Sequence, residues 1–440
     1  MKKKILLWSI LLILILGLAA GAFWWLRRSQ VITFSDDSKL TLLAVDYGKR
    51  HVPPGVKAPA STNTTARVRA RNGAFNTATD TLVVWVRQER DPQTYANFQY
   101  FLYDTAGTAC VQSAGMNYGG VNRQQSNVVV GIQFPAFPRR QGKFVLRVQE
   151  NGNGAQEMSD KKFIIRNPAR GPFAAWTAEP LPATKGEDDL SVTLTKLVFG
   201  ADTPYQRNQD DPDDAMNKGV QATFNISQNG KPANNWQPMQ VETSDATGNH
   251  VNGYCNSQWQ GDDDVVTYQF GLWPDEPAWK VRFNFVKQSD FSDSETWSVQ
   301  NIPLEPGRQQ DFYNFLNQRN STNTAFAETD LNGVHLKIFP VKQFTDMPPN
   351  AQPQGGFQIQ VTPPLPAGVQ IKIIKLTDDQ GQEVQTAGNN TSMNNQSAAY
   401  GYQLRDLGGV TNLNVTIALP KSHFLEFTVK PEKEAAAAAQ

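Results

Sequence analysis

Three Asp-x-x-Gly stretches recur at similar spacing along this 440-residue chain, each behind an apolar, strand-like run. Asp104-Thr-Ala-Gly107 follows "FQYFLY", Asp245-Ala-Thr-Gly248 follows "MQVETS", and Asp378-Asp-Gln-Gly381 follows "IKIIKLT". The second begins 141 residues after the first, and the third 133 residues after the second. Each reads as a hairpin turn, in which Asp bonds the backbone of its own turn and Gly supplies a positive φ. A turn copied at domain-sized spacing constrains the fold strongly, because it implies one unit repeated along the chain.

The residues around the turns repeat as well. Upstream stand "SDDSKLTLLAV", "GEDDLSVTLTKLVF" and "ETDLNGVHLKIF". Downstream come "FVLRV", "WKVRF" and "LNVTI", each followed by a closing strand: "KKFIIR", "TWSVQ" and "FLEFTV". The middle unit counts as seven strands, at 190–199, 220–227, 238–244, 249–257, 265–272, 279–286 and 296–302. Short alternating strands rich in β-branched and aromatic residues, cut by Gly, Pro, Asn and Asp, predict antiparallel two-sheet sandwiches. The one candidate helix past residue 30 is "QQDFYNFLNQR", from Gln309 to Arg319. The expected fold is all-β: three tandem immunoglobulin-like antiparallel sandwiches after one N-terminal transmembrane helix. The boundaries are 29–168, 169–305 and 306–432, with a low-complexity tail over 433–440. Stretches 167–183 and 303–308 read as short, semi-rigid linkers.

The N-terminus carries Lys2-Lys3-Lys4, an apolar run from Ile5 to Trp25, then Arg27-Arg28. A bilayer-spanning helix needs about 20 such residues, with interfacial Trp and flanking cations. Residues 1–28 therefore read as a cytoplasmic stub and signal anchor. A cleaved signal peptide ending at Ala20-Gly-Ala22 is the alternative. Either places the rest of the chain in the periplasm or outside the cell. Lys+Arg and Asp+Glu balance at 41 each, so no global field favours nucleic acid or anionic lipid. The Asp-x-x-Gly after "FQYFLY" matches a GTPase element, but nucleotide binding also needs Gly-x-x-x-x-Gly-Lys-[Ser/Thr], a motif the sequence lacks. Cys110 and Cys255, the only cysteines, read as two buried free thiols.

Candidate sites are few. His51, His250, His335 and His423 show no metal-ligand spacing and read as turn or surface residues. No Gly-x-Ser-x-Gly elbow occurs. Strand parity gathers Asp210, Asp211, Asp213 and Asp214 with Asp245, Asp275 and Glu276 at one pole of the middle unit. Crowded carboxylates repel unless bridged, and calcium takes six to eight such oxygens. The choice there lies between solvated loops and a structural calcium site on Asp210, Asp211, Asp213, Asp214, Asp245 and Asp275. Trp236, Trp259 and Trp273 sit at strand ends, where exposed indoles would stack on sugar rings; core or inter-domain packing is the other reading. No other cofactor is implied.

The tandem strand pattern over 30–432, with "LTLLAVDYGKRHVPPG" after the apolar run, resembles the immunoglobulin-like or fibronectin-III-like modules of membrane-anchored bacterial envelope proteins. That resemblance implies adhesion, spacing or ligand binding. The functional expectation is a non-catalytic, membrane-anchored interaction or spacer protein whose partner is an envelope protein or a glycan. The alternatives are a glycan-binding module or a hydrolase on a sandwich scaffold, the last needing two carboxylates about 5–10 Å apart in a cleft.

Overall fold

The structure is a computed structural model. It describes residues 30–433 apart from 35–36, 55–74, 90–96, 113–114, 119–126, 152–155, 170, 203–217, 261–262, 270, 317–323, 347, 349–353, 367–368 and 395. The expected membrane span therefore lies outside the described residues, and among those residues no helix is long and apolar enough to cross a membrane. The described chain is all-β, with one α-helix.

The first group of strands comprises β1 (Val31–Thr33), β2 (Lys39–His51), β3 (Phe75–Glu89), β4 (Asn97–Tyr103), β5 (Ala109–Gln112), β6 (Gly115–Tyr118), β7 (Asn127–Phe134), β8 (Lys143–Asn151) and β9 (Gln156–Arg166). They form two sheets, β1-β2-β3-β7-β6 and β5-β4-β8-β9. Period-two alternation explains the layering: Phe144, Leu146 and Val148 of β8 point into the core, while Lys143, Val145 and Arg147 point out. Val84, Val86, Val130 and Ile132 meet them from the facing sheet.

The second group comprises β10 (Ala183–Glu187), β11 (Leu190–Asp202), β12 (Lys218–Gln228), β13 (Lys231–Pro232), β14 (Trp236–Asp245), β15 (His250–Gln260), β16 (Asp263–Tyr268) and β17 (Trp279–Lys287). β15 pairs with β14 through His250–Tyr254 and with β16 through Cys255–Gln260, so one strand passes from one sheet to the other.

The third group comprises β18 (Thr296–Gly307), α1 (Gln309–Leu316), β19 (Ala327–Leu331), β20 (Val334–Ile338), β21 (Val341–Phe344), β22 (Gly355–Thr362), β23 (Lys372–Asp378), β24 (Thr386–Met393), β25 (Ala398–Leu404), β26 (Asn412–Ala418), β27 (Ser422–Val429) and β28 (Glu432–Lys433). Pairing is antiparallel except for β18 with β21 and β11 with β28. The helix expected near Gln309 is present and packs Phe312 onto β22 beside Gly356.

The closing strands depart from the expected plan. "TWSVQ" was assigned to the middle unit and "FLEFTV" to the third; the pairing is the reverse. β18 leaves β17 and pairs with β26 of the third group, Trp297 opposite Ile417. β27 returns from β26 and pairs with β17 over eight residues, Phe283 opposite Leu425 and Val281 opposite Phe427. Only β9, in the first group, closes by a local hairpin on β8. The expected linker 303–308 thus falls largely inside a strand, and the expected boundary at 305/306 cuts it.

Burial follows the exchange. Leu425, Phe427 and Val429 join a core cluster otherwise built from the first two groups, and Phe427 meets Phe283 edge to face at 6.4 Å. Val286 of β17 belongs instead to the cluster of the third group. The other expected linker, 167–183, does cross between groups, but it is tied down. Glu179 donates its N–H to the Thr428 carbonyl at 2.7 Å and accepts from Thr428 N–H at 2.8 Å.

The exchange makes the second group depend on the chain's last strand. Burying Leu425, Phe427 and Val429 contributes about 6 kcal/mol at roughly 2 kcal/mol per side chain, comparable to the whole stability of a domain. A chain ending at Pro420 keeps β18 to β26 and loses β27 and β28. Limited proteolysis read by mass spectrometry is expected to cut freely within 190–287 while 296–418 survives; a resistant middle segment would refute the dependence.

Candidate functional site

The three Asp-x-x-Gly turns share one geometry. The Gly N–H donates to the Asp carbonyl at 3.3 Å from Gly107, 3.1 Å from Gly248 and 3.2 Å from Gly381. Asp104 Oδ1 accepts from the N–H groups of Ala106 and Thr108 at 2.9 and 2.7 Å. Asp245 Oδ1 takes those of Thr247 and Asn249 at 2.8 and 3.1 Å, and Asp378 Oδ1 those of Gln380 and Gln382 at 2.9 and 2.7 Å. The glycines have φ of 90°, 92° and 79°, a region L-residues avoid.

The middle copy is also the joint to the first group. Asn249 accepts from Phe137 N–H at 3.1 Å and donates Nδ2 to the Phe137 carbonyl at 3.0 Å, as a paired backbone residue would. Its Nδ2 also reaches Asp245 Oδ2 at 2.8 Å. Arg139 donates Nη1 to the Thr247 carbonyl at 2.8 Å. Its guanidinium carbon lies 5.1 Å from the Tyr47 ring centre and 5.0 Å from that of Phe137, a cation–π arrangement. A Cβ on Gly248 would stand 3.0 Å from Arg139 Nη1, so this turn needs Gly for contact as well as for φ. Arg140 donates Nε to Glu276 Oε2 at 2.8 Å and Nη2 to the Ala174 carbonyl. Burial pushes the Glu276 carboxyl up, and the Arg140 hydrogen bond offsets only part of that rise. Burial likewise draws the Arg139 guanidinium down.

This changes the reading of the acidic pole. Asp210, Asp211, Asp213 and Asp214 lie outside the described residues. Asp245 is 2% exposed, with both carboxylate oxygens taken by N–H and O–H donors. Asp275 pairs with Lys433 Nζ at 2.7 Å. Among the described residues no group of three or more His, Cys, Asp or Glu is placed to hold a metal ion. The cation that pairs with Glu276 is Arg140 of the preceding group of strands, while Asp245 is held by the donors of its own turn.

The indole platform is also corrected. Trp236 is 1% exposed with its ring centre 5.2 Å from that of His423 in a tilted pair, and Trp273 is 3% exposed with the Trp279 indole N–H on its carbonyl. Neither offers a face to a sugar ring. Trp259 lies on β15 opposite Asp264, with its side chain outside the described residues. His51 and His423 are buried rather than exposed. His51 lines up between Asp46 Oδ2 at 3.0 Å and Thr77 Oγ1 at 3.4 Å, but Thr77 donates its hydroxyl to the Thr79 carbonyl at 2.8 Å. That hydroxyl is engaged by the backbone and does not stand as a base-activated nucleophile. Cys255 is a free thiol whose ionisation burial pushes well up; the Cys110 side chain lies outside the described residues.

A second joint sits where the chain crosses between the second and third groups. Lys287 Nζ bonds Glu295 Oε2 at 2.8 Å with both side chains at 10% exposure or less. Ser292 adds its N–H at 2.8 Å and its hydroxyl at 2.9 Å to the same oxygen. The crossing strands are bridged alongside: Leu419 N–H donates to the Glu295 carbonyl at 2.9 Å, and Lys287 N–H to that of Lys421 at 3.1 Å. Lys372, on β23, donates Nζ to both the carbonyl and the side chain of Gln288. Burial alone would raise the Glu295 carboxyl; the bonds from Lys287 and Ser292 prevail and hold it below its usual range.

Two clefts accompany these features. One of about 590 Å³ lies beside the first joint, lined by Arg139, Arg140, Arg166, Asn167 and Phe173. One of about 650 Å³ opens in the third group between Phe312, Phe326, Phe339 and Pro306, with the Glu305–Lys342 ion pair among its walls. No protein-family model matches the chain, and no curated protein sequence matches it.

Sequence reasoning missed Arg139, Arg140, Asn249, Lys287 and Glu295. The available signal was "PAFPRRQGK", two adjacent arginines behind a Pro-Ala-Phe-Pro segment, set against an acidic pole that lacked a counter-charge.

Two outcomes follow for the joints. Arg139→Met is expected to lower the stability of the first two groups by about 2 kcal/mol, the size of a lost charge-assisted hydrogen bond and ring contact, read by urea unfolding. Glu295→Gln is expected to cost about 3 kcal/mol at pH 7, because Lys287 stays buried without a partner. The folded Glu295 value lies below the unfolded one of about 4.3. Its stabilisation is therefore complete above that pH and lost as pH falls through the folded value. The gap between Glu295→Gln and the parent must shrink on acidification below about pH 4.

Proposed function

We propose that the chain is a non-catalytic interaction or spacer protein: three immunoglobulin-like sandwiches held outside the cytoplasm by an N-terminal membrane helix. The observation that carries the reading is the reciprocal exchange of β18 and β27, which ties the second and third groups by two chain crossings instead of one flexible linker. The buried contacts of Arg139 and Asn249 add a second fixed joint. A protein whose role is to hold a binding surface at a set distance from a membrane needs such joints; a catalyst does not. The run from Ile5 to Trp25, with Lys2-Lys3-Lys4 before it and Arg27-Arg28 after it, supports the anchor and its orientation. The partner belongs to the envelope, as an anchored protein's reach is limited to its surroundings.

Paired spin labels in the first and third groups of the full chain, with their separation measured by pulsed dipolar spectroscopy, test the spacer role. A single narrow distance distribution is expected. A broad one would remove the spacer reading. Protease added outside intact cells, after permeabilising any outer membrane, is expected to digest the bulk of the chain and leave an alkali-resistant membrane fragment.

A further inference from the structure

The outward face of β8 and β9 carries an electrostatic arrangement that the fold itself does not use. Lys143 stands opposite Arg166, Val145 opposite Ile164, and Arg147 opposite Lys162. Two like-charge pairs therefore flank one apolar pair. Like charges directly opposite on neighbouring strands are destabilising. Lys143, Lys162 and Arg166 are exposed, and among the described residues no ion pair or hydrogen bond of their side chains relieves them; Arg147 meets the Tyr103 ring, 4.8 Å from its guanidinium carbon. Ile164 is 50% exposed between them.

The position of this face in the chain indicates what covers it. Gln30, the first described residue, bonds the open edge of β9 with its side-chain amide. Its Nε2 donates to the Ile164 carbonyl at 3.0 Å, and its Oε1 accepts the Ile164 N–H at 2.9 Å. Val31, next along, is 45% exposed. The apolar run ends at Trp25, and only Leu26 to Ser29 separate it from Gln30. Extended chain covers at most about 3.6 Å per residue, so the edge of β9 is held within about 20 Å of the end of the span. Arg27 and Arg28 lie in that interval and add to the positive charge.

We propose that this face docks on the anionic phospholipid surface of the bilayer that the chain crosses, with Ile164 and Val31 at the headgroup boundary and Lys143, Arg147, Lys162 and Arg166 among lipid phosphates. The proposal rests on the anchored reading given above. Cations near an anionic leaflet are attracted within about a Debye length, roughly 8 Å at physiological salt, and a tether that keeps the face nearby makes the contact intramolecular. Docking fixes the first group against the membrane, and the two joints carry that orientation to the third.

The test uses the full chain with Cys110→Ala, Cys255→Ala and Ile164→Cys. It carries an environment-sensitive fluorophore at 164 and is reconstituted into phosphatidylcholine vesicles with or without roughly one phosphatidylglycerol in three lipids. A headgroup spin-labelled lipid serves as quencher. Quenching is expected in the anionic vesicles, absent in neutral ones, absent for a Met393→Cys control, and abolished by Lys162→Glu with Arg166→Glu or by salt near 1 M, where the Debye length is about 3 Å. The double reversal is expected not to lower the melting temperature, since it turns both like-charge pairs into opposite-charge pairs; its effect on quenching is then not unfolding. If the chain sediments with vesicles but the 164 probe stays unquenched, docking is refuted and the anchor stands. If the chain does not sediment with either vesicle, anchor and docking fall together. If RNA or an acidic protein, and not lipid, shields the probe, the partner is a polyanion and the lipid assignment is overturned.

Discussion

The backbone pairing of β17 with β27 is the interaction on which the second and third groups of strands depend. A sheet that ended at β17 would leave a row of unpaired N–H and C=O groups beside Val281, Phe283 and Phe285, with their core open on one side. The next strand in sequence, β18, goes elsewhere. Closure waits for residues 422–429, more than 130 positions after β17 ends. The intervening chain must fold into the third group for the second to close, and that group in turn takes β18 as its own closing strand. Such pairing at long sequence separation is slow to form. Once formed, it couples the two groups through two backbone crossings.

The joints are polar, and that sets their specificity. Apolar contacts alone would let the groups slide; a buried donor or acceptor left unpaired costs far more than a displaced methyl. Asn249 satisfies both backbone groups of Phe137, Arg139 fills the carbonyl of Thr247, and Glu295 gathers Lys287 and Ser292. These bonds set the relative placement of the groups, while Arg139 Nε and Glu295 Oε1 stay buried without a hydrogen-bond partner among the described residues. The acidic residues that looked like a cation site by their spacing are, at Asp245 and Glu276, the acceptor side of this arrangement. The same charges serve different physics once a neighbour supplies arginine.

Much of the fold was legible in the sequence, and the site much less so. The six leading strands of the middle unit lie where alternation placed them, since period-two burial is written locally in runs such as "WKVRF". The turns at Asp104, Asp245 and Asp378 were readable because an Asp side chain and a Gly φ act within five residues. Trp236 and Trp273 stayed open between a platform and packing, because position at a strand end does not reveal what packs over it. His51 was misread for the same reason: its burial depends on Asp46, Thr77 and Phe75 converging from two strands.

By itself the sequence determined the place and inward faces of many strands and the three hairpin turns, because those follow from interactions among residues close along the chain. Only the tertiary structure decided which strand closes which sheet. "TWSVQ" and "FLEFTV" are both apolar edge formers that either sheet would accept by composition. The choice between them is made by backbone pairing and side-chain fit across distances that no local pattern encodes.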